Sequence, residues 1–267
     1  MKPPATLVLL ILVLVIPVIL MPAAASSPDA SVSRYVAGID GAYSPFTVVG
    51  PDGNVSGFDA DSVRWIADRM GFEVVFLPVP WAAIVPALEN GTVDMVYSGM
   101  TVTPERMERI RFTIPYARGV QAVAVHQSSD DTMEDLLAGR LRVGAEENTV
   151  GVTFVQEELI GAGKMSADDL VRYGTLPQAV EDLEDHRIDA VISSAVSLRE
   201  AIRGRDCRMA GELATTESIA VAVRKNDTEL LETMNTGLEE LMSSPAWEGL
   251  IRRYGMEGTA LRPGSES

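Results

Sequence analysis

From residue 34 to residue 254, short runs of β-branched and apolar residues alternate with longer segments of helical periodicity. Alternation of this kind is typical of strand–helix–strand units, which build mostly parallel sheets flanked by helices. Strands are predicted at residues 35–39, 73–77, 95–98, 122–125, 141–145, 171–173, 190–192 and 219–223. The chain is therefore predicted to have an α/β fold.

Helical periodicity occupies most of the intervals between these strands. Val63, Ile66, Ala67 and Met70 share one helix face, and Gly71 follows as a terminator. The same pattern predicts helices at residues 81–90, 131–138, 150–160, 177–184, 195–203, 227–243 and 245–254. No internal repeat or long linker separates two halves, so two domains would have to be interleaved.

Residues 1–25 match the three parts of a secretory signal. Lys2 gives a basic start, residues 7–21 form an apolar run without charge, and small residues lead to Ala25, near which cleavage is expected. The alternative is a retained membrane anchor, because residues 5–25 are nearly long enough to span a bilayer. Both interpretations predict an exported protein, in the periplasm or at the cell surface.

Composition and missing motifs exclude several function classes. Acidic residues outnumber basic ones by 38 to 22, which argues against nucleic acid as a partner because such a charge repels phosphate backbones. Cys207 is the only cysteine, so no intrachain disulfide can form. His126 and His186 are isolated along the chain, and no cluster has metal-ligand spacing. With no phosphate loop, dinucleotide fingerprint or nucleophile motif either, no metal, cofactor or catalytic residue is predicted.

A turn with the sequence Ser-Gly-Met-Thr-Val-Thr-Pro-Glu-Arg begins at Ser98 and carries the most specific local signal. A strand ends on Ser98, Gly99, Met100 and Thr101, and a helix then begins with a threonine cap and a proline in its first position. Backbone N–H groups in such a turn point into the crevice where open α/β sheets bind ligands. Arg106, in the first helical turn, can bind a carboxylate with both arms of its guanidinium.

The position of Arg106 also has an ordinary explanation. A cation in the first turn of a helix is opposed by the helix dipole, so something must compensate for it. An ion pair with Glu105 or Asp94 on a solvated surface would do so without any ligand. The nine residues of the turn do not decide between the two interpretations.

Motifs spread over the whole chain in a fixed order carry a family resemblance. They lie at residues 38–46, 57–61, 84–88 and 101–106, and continue at residues 112–116, 142–144, 187–191 and 223–225. In content and order they resemble the amino-acid-binding family 3 of bacterial and archaeal extracellular solute-binding proteins. The resemblance extends over about residues 35 to 254.

This resemblance implies the periplasmic-binding-protein type II fold, with two α/β lobes that close on a ligand. Lobe 1 would comprise residues 33–120 plus 219–257, and lobe 2 would comprise residues 121–218. Hinge strands would lie near residues 118–122 and 217–220, and residues 258–267 would form a disordered tail.

Carried over by resemblance, the role of Arg106 is to grip the ligand carboxylate. The hydroxyl and backbone N–H of Thr101 would assist it from lobe 1. From lobe 2, Thr149 would assist at the start of a helix, within a turn formed by Asn148, Thr149 and Val150. The family usually has a Gly-Thr-Thr-like turn here, so this chain keeps one hydroxyl and lacks another.

Three further positions in lobe 1 match the binding site of the family. Asp40 and Tyr43 lie in its first binding loop, and Trp81 lies where an apolar or aromatic side chain packs against the ligand. Ordinary core packing is the alternative for Tyr43 and Trp81, because both side chains are large and apolar over most of their surface.

One departure from the family pattern concerns the α-ammonium group of an amino acid. The family's aspartate for this group falls at a position where this chain has Ser194, which brings no charge. Hydrogen bonds to charged groups contribute about 1.5 to 3 kcal/mol, so the loss would weaken binding about ten- to a hundredfold. Either Glu146, Glu147 or Asp40 supplies the charge, or the ligand is a simple carboxylate. Solvated loop charges are the ordinary explanation for Glu146 and Glu147.

The resemblance implies that a monomer captures an amino acid or related small carboxylate and delivers it to the membrane permease of an ABC importer. Two alternatives remain, namely a dehydratase-like enzyme of the same fold acting on a small carboxylic acid, and a stand-alone ligand sensor. An enzyme needs an acid or base within reach of its substrate. Ser194 supplies neither, which weakens the enzyme interpretation.

Overall fold

The computed structural model describes residues 32–262, and the predicted export segment at residues 1–25 lies outside them. The strands are β1 (Ser33–Ile39), β2 (Ala42–Tyr43), β3 (Thr47–Val49), β4 (Val55–Ser56), β5 (Phe72–Pro78), β6 (Met95–Val96), β7 (Ile110–Phe112), β8 (Ala117–Gly119), β9 (Gln121–His126), β10 (Val143–Glu146), β11 (Leu170–Tyr173), β12 (Ala190–Ser194), β13 (Cys207–Glu212), β14 (Glu217–Ile219) and β15 (Ala222–Arg224).

The helices are α1 (Phe58–Met70), α2 (Trp81–Glu89), α3 (Pro104–Arg109), α4 (Met133–Leu137), α5 (Val150–Phe154), α6 (Leu176–Glu184), α7 (Ala195–Ala201), α8 (Thr228–Met242) and α9 (Pro245–Tyr254). A π-helical turn, Val155–Ile160, continues α5, and a 3₁₀ turn, Ala167–Asp169, precedes β11. Each predicted strand and helix overlaps an element of its predicted type. The α/β prediction is confirmed.

The first sheet has the strand order β5-β1-β6-β15-β7. β1 pairs in parallel with β5 and β6, whereas β15 pairs antiparallel with β6 and β7. Four of its five strands therefore run in one direction. Their carboxyl ends place Asp40, after β1, and Ser98, after β6, at the same edge of the sheet.

The second sheet repeats this plan with the order β11-β10-β12-β9-β13. β10 pairs in parallel with β11 and β12, and β9 pairs antiparallel with β12 and β13. Glu146 ends β10 and Ser194 ends the neighbouring strand β12, so both lie at the same edge.

Two short strands carry the chain between the sheets. The chain leaves the first sheet through β8 and returns to it through β14, and the two strands pair antiparallel, with Gly119 opposite Glu217 and Ala117 opposite Ile219. A separate antiparallel sheet, β2-β3-β4, holds the loop after β1. It was not predicted, because two- and three-residue strands are too short to show an alternating pattern.

Each sheet has apolar side chains packed on both faces. Phe58, Ile66 and Trp247, from α1 and α9, are buried against one face of the first sheet. Ile84 and Leu88 of α2 are buried against the other face. The second sheet is covered in the same way by separate clusters on its two faces.

The prediction of a disordered tail from residue 258 is wrong for the part that the structure describes. Arg118 donates its backbone N–H to the Thr259 carbonyl at 2.8 Å, and the Leu261 N–H donates to the Tyr116 carbonyl at 2.8 Å. Ala260 is buried. A small, polar composition suggested disorder, but these backbone hydrogen bonds hold the segment beside β8. Residues 263–267 lie outside the described residues.

Within residues 32–262, no helix has the length and apolar character needed to cross a membrane.

Candidate functional site

A cavity lies where the carboxyl ends of strands from both sheets meet. Most of the residues that line it are polar in type, and they come from both halves of the fold. The lining residues are Asp40, Tyr43, Trp81, Gly99, Thr101, Arg106, Gln121, Glu146, Thr149, Val150, Ser193 and Ser194.

Arg106 contacts both halves at this cavity. Thr103 caps α3 by accepting the Arg106 backbone N–H at 3.2 Å, which fixes the first helical turn. The guanidinium donates through Nη1 to the Thr101 carbonyl at 2.8 Å and through Nη2 to the Asn148 carbonyl at 2.9 Å. It also lies over the Trp81 ring, 5.5 Å from its centroid, in cation–π range.

The surface ion pair considered for Arg106 does not form with Asp94. Asp94 instead pairs with Arg224 at 3.1 Å. Burial lowers the pKa of Arg106, and electrostatic interactions with Glu105, Glu217 and Tyr43 partly oppose that shift. A guanidinium so desolvated gains most from an anion placed beside it.

The turn at Gly99 is held in place by the buried carboxyl group of Asp59. Gly99 has a φ of 63°, and a Cβ there would meet the Phe46 ring at 2.8 Å, so only glycine fits. Its N–H donates to Asp59 Oδ2 at 2.6 Å, and the Tyr116 hydroxyl donates to the same oxygen at 2.7 Å. Burial raises the pKa of Asp59 to about 8.

Asp40 and Glu146 form a pair of acids inside the cavity. They are 6% and 4% exposed, and each carboxyl group lies close enough to the other to shift its pKa. Burial raises the pKa of both, and the charge of Asp40 adds to the effect on Glu146, whose pKa reaches about 9. The pair therefore holds a proton at neutral pH. Glu146 Oε1 is buried without a hydrogen-bond partner among the residues that the structure describes.

Tyr43 links the two halves on the other side of this pair. Its ring stacks on Phe46 at a centroid distance of 5.5 Å, and its hydroxyl faces Ser193, Ser194 and Ser197. Burial is the main cause that raises the pKa of Tyr43 to about 12, so the phenol stays neutral. Ser194 lies at the N-terminus of α7, and its Oγ is buried without a hydrogen-bond partner within residues 32–262.

Three residues at or beside the cavity were missed by the sequence analysis, namely Gln121, Ser193 and Glu217. Gln121 Nε2 donates to Glu217 Oε2 at 3.1 Å, and Thr101 Oγ1 donates to the same oxygen at 3.1 Å. Burial raises the pKa of Glu217. Gln121 begins β9, which follows β8, and Glu217 begins β14. The two residues meet at the site because β8 and β14 pair between the sheets.

Several predicted site residues lie outside the cavity lining. Ser98 is fully buried, where its Oγ accepts the Asp40 backbone N–H at 3.0 Å and lies 2.6 Å from Thr47 Oγ1. Met100 is buried in the core beside the turn. Glu147 is exposed. Ser98 and Met100 thus support the site from behind.

Asn148 lies at the rim, between the two halves. It has a left-handed backbone, with φ of 60°, and its Nδ2 donates to the Ala82 carbonyl at 3.3 Å. Thr149 lines the cavity, and its Oγ1 donates to the Glu146 carbonyl at 2.6 Å. Val150 lines the cavity beside it.

The two histidines, which the sequence analysis took as isolated, are neighbours in the fold. The rings of His126 and His186 lie 3.8 Å apart between centroids. Among residues 32–262, no group of three or more potential ligands is placed to hold a metal ion.

Two α/β sheets joined by a pair of crossing strands, with a polar cavity lined from both, define a two-lobed ligand-binding protein. The chain belongs to the bacterial extracellular solute-binding proteins, family 3, whose family model matches residues 35–257.

The chain is similar to several named proteins. It is 27% identical over 235 residues to the probable histidine-binding protein of Neisseria gonorrhoeae, covering 86% of each chain. It is 27% identical over 228 residues to the L-arginine-binding protein of Pseudomonas aeruginosa, covering 81% of this chain and 86% of that one.

Solved structures share the fold. A mutant of ArgBP from T. maritima matches with a TM-score of 0.76 at 29% identity, covering 84% of this chain and 95% of that one. The ancestral amino-acid-binding protein AncCDT-1, a precursor of cyclohexadienyl dehydratase, gives 0.75 at 27% identity, with 83% and 95% coverage. A histidine kinase sensor domain gives 0.77 at 25% identity, with 87% and 99% coverage.

Proposed function

We propose that this chain captures an amino acid outside the cytoplasmic membrane and delivers it to the permease of an ABC importer. Arg106 carries the proposal. Its guanidinium is desolvated, lines the cavity and touches backbone carbonyls of both halves. A ligand carboxylate placed there would form charge-assisted hydrogen bonds and would add contacts across the two halves.

Capture by closure requires the two halves to move as lobes. We propose lobes formed by residues 33–120 with 219–257 and by residues 121–218, with β8 and β14 as the hinge. Supporting this, all strands of the second sheet lie between residues 121 and 212, and the first sheet uses none of them. A ligand that touches both lobes favours the closed arrangement, which a permease can recognise.

The proposed ligand is identified by what the cavity offers. Arg106, with the Thr101 hydroxyl beside it, offers a carboxylate site, and Asp40 with Glu146 offers an acidic site at the same cavity. Trp81 is 8% exposed and provides an apolar wall. Carboxylate, cation and apolar recognition together suit an amino acid. The relatives named for histidine and for arginine agree with this class.

A second function has one observation in its favour. Glu146 keeps its proton at neutral pH, as a general acid must, and it lines the same cavity. A dehydratase-like enzyme acting on a small carboxylic acid would use such a group. We favour binding, because Asp40 and Glu146 are equally suited to hold a ligand cation and the named relatives above are binding proteins.

A thermal-shift panel of the twenty L-amino acids, followed by NMR of the mixtures, tests the proposal. A ligand that binds only the folded chain raises the melting temperature by mass action. We expect a shift with one or a few amino acids and unchanged ligand spectra after prolonged incubation. No shift with any amino acid would contradict capture, and conversion of a bound acid to product would favour the enzyme. Size-exclusion chromatography checks the expected monomer.

A further inference from the structure

The charges around the cavity are unequal. Among residues 32–262, three carboxyl groups, those of Asp40, Glu146 and Glu217, lie at or directly beside it, whereas Arg106 is the one basic side chain in its lining. With one proton shared by Asp40 and Glu146, the site still carries a net charge of about −1 by this count. An amino acid with no net charge would leave this excess in place, and burial makes an unbalanced charge expensive.

Buried hydrogen-bond acceptors without a partner also favour a cationic ligand. Glu146 Oε1, Gln121 Oε1, Glu217 Oε1 and Ser194 Oγ are all buried without a hydrogen-bond partner in the part of the chain that the structure describes. The Gln121 amide oxygen only accepts hydrogen bonds, and the two glutamate oxygens only accept them when their carboxyl groups are ionised. Buried acceptors of this kind are satisfied by hydrogen-bond donors, which the cationic nitrogens of a ligand offer and the described residues do not provide at these atoms.

Glu146 lies where it can supply the negative charge that Ser194 lacks. β10 and β12 pair in parallel, so Glu146 and Ser194 end neighbouring strands at one edge of the second sheet. Asp40 approaches Glu146 from the end of β1 in the first sheet. A cation between these two carboxyls would be held from both halves, which one acid at position 194 could not achieve by itself.

We infer that the ligand is an amino acid of net positive charge, and that one of its cationic nitrogens lies between Asp40 and Glu146. This inference rests on the proposed function and narrows it. The ligand carboxylate pairs with Arg106, and two cationic nitrogens leave the carboxyl groups around the cavity one charge closer to balance than a single cationic nitrogen would. The nitrogen held by the acid pair is either the α-ammonium or the side-chain cation, since both offer N–H donors and a positive charge.

Isothermal titration calorimetry at pH 7 tests this with L-arginine and L-citrulline, which differ chiefly in side-chain charge. L-lysine and L-glutamine form a second pair. We expect the unmodified chain to bind L-arginine at least about tenfold more tightly than L-citrulline, because hydrogen bonds between charged groups are stronger than neutral ones. Equal or tighter binding of L-citrulline or L-glutamine would overturn the inference, while leaving capture of an amino acid intact.

Variants of Glu146 and Glu147 test where the ligand cation binds. Glu146→Gln should weaken L-arginine binding at least about tenfold, and Glu147→Gln, its exposed neighbour, should change it less than about threefold. Equal affinity of the two variants for L-arginine would overturn the role of Glu146. The selectivity of the unmodified chain stands as a test even if Glu146→Gln does not fold.

One further compound distinguishes whether the acid pair binds the α-ammonium or the side-chain cation of the ligand. 5-Guanidinopentanoate keeps the side chain and carboxylate of arginine and lacks the α-amino group. If Glu146→Gln still weakens its binding, the acid pair holds the side-chain cation. If the variant has no effect on this compound while it weakens L-arginine, the pair holds the α-ammonium. Failure of all these compounds to bind overturns the inference, and the wider amino-acid panel then judges the proposed function separately.

Discussion

The carboxyl groups of Asp40 and Glu146 meet across the cavity, one from the end of β1 and the other from the end of β10. Two buried acids this close cannot both ionise without a counter-charge, so they keep a proton between them. A cationic ligand and this proton therefore compete for the same site between the two carboxyl groups. The competition makes ligand affinity depend on pH.

We expect the affinity for L-arginine to rise with pH between about 5.5 and 8. The pKa of Glu146 is raised to about 9, so the pair is protonated in this range without ligand, and a bound cation releases the proton. One proton released corresponds to at most about tenfold in affinity per pH unit. Among the described residues, the other titratable groups that face the pair are Arg106, Glu217 and Tyr43.

Calorimetry in buffers of different ionisation enthalpy measures the proton released. Glu146→Gln should flatten the pH dependence, and Glu147→Gln should preserve it. An affinity that is independent of pH in the unmodified chain would show that the bound state keeps the proton, against this prediction.

Replacing Arg106 by alanine should weaken amino-acid binding by about 2 to 5 kcal/mol, because the ligand carboxylate would be buried without its partner. Arg109→Ala is the matched control, since Arg109 lies on the same helix but pairs with Glu89 on an exposed surface. Titration calorimetry of both variants measures the two dissociation constants and tests this prediction. A dissociation constant unchanged in Arg106→Ala would remove the carboxylate site from this residue.

Trp81 should report ligand binding by fluorescence. It lines the cavity and lies under the Arg106 guanidinium, whereas Trp65 and Trp247 lie elsewhere in the fold and pack with the core of the first sheet. Ligand should therefore change the emission of the unmodified chain and of Trp65→Phe, and leave Trp81→Phe unchanged. A full signal retained by Trp81→Phe would place the ligand away from this ring.

Asp59 should make folding stability fall as pH rises. Its pKa is raised from 3.8 to about 8 by burial, so the folded chain holds a proton that the unfolded chain has lost over that interval. Its contribution is complete below about pH 4 and lost by about pH 8, with a slope of at most about 1.4 kcal/mol per pH unit.

Asp59→Asn removes this titration, so its free energy of unfolding in urea should depend less on pH between 4 and 8 than that of the unmodified chain. Asp61→Asn, an acid on the same helix that pairs with Arg64 and Arg253, is the comparison. Parallel pH profiles for the unmodified chain and Asp59→Asn would contradict a protonated Asp59.

Much of this site follows from local sequence signals. The threonine cap and proline that precede Arg106 predicted where α3 begins, and the strand that ends at Ser98 predicted the turn. Glu146 was open to two interpretations, because a charged residue after a short strand is ordinarily solvated. Only burial opposite Asp40 distinguishes it from Glu147, which is exposed.

The remainder depends on distant parts of the chain meeting. Gln121 and Glu217 are 96 positions apart and hydrogen-bond because β8 and β14 cross together between the sheets. Residues 259–261 are ordered by hydrogen bonds with β8 and its neighbours, which their polar composition did not indicate. Pairing between distant segments leaves no periodic pattern in the sequence, so neither arrangement was predicted.

Native mass spectrometry of the purified chain with an equimolar mixture of the twenty L-amino acids tests the central claim most directly. We predict one adduct per chain with the mass of L-arginine or L-lysine, the latter distinguished from L-glutamine by tandem mass spectrometry of the released ligand, and loss of that adduct in Arg106→Ala. An acidic or neutral amino acid as the retained ligand would contradict the charge assignment. Absence of any adduct would contradict capture of an amino acid itself.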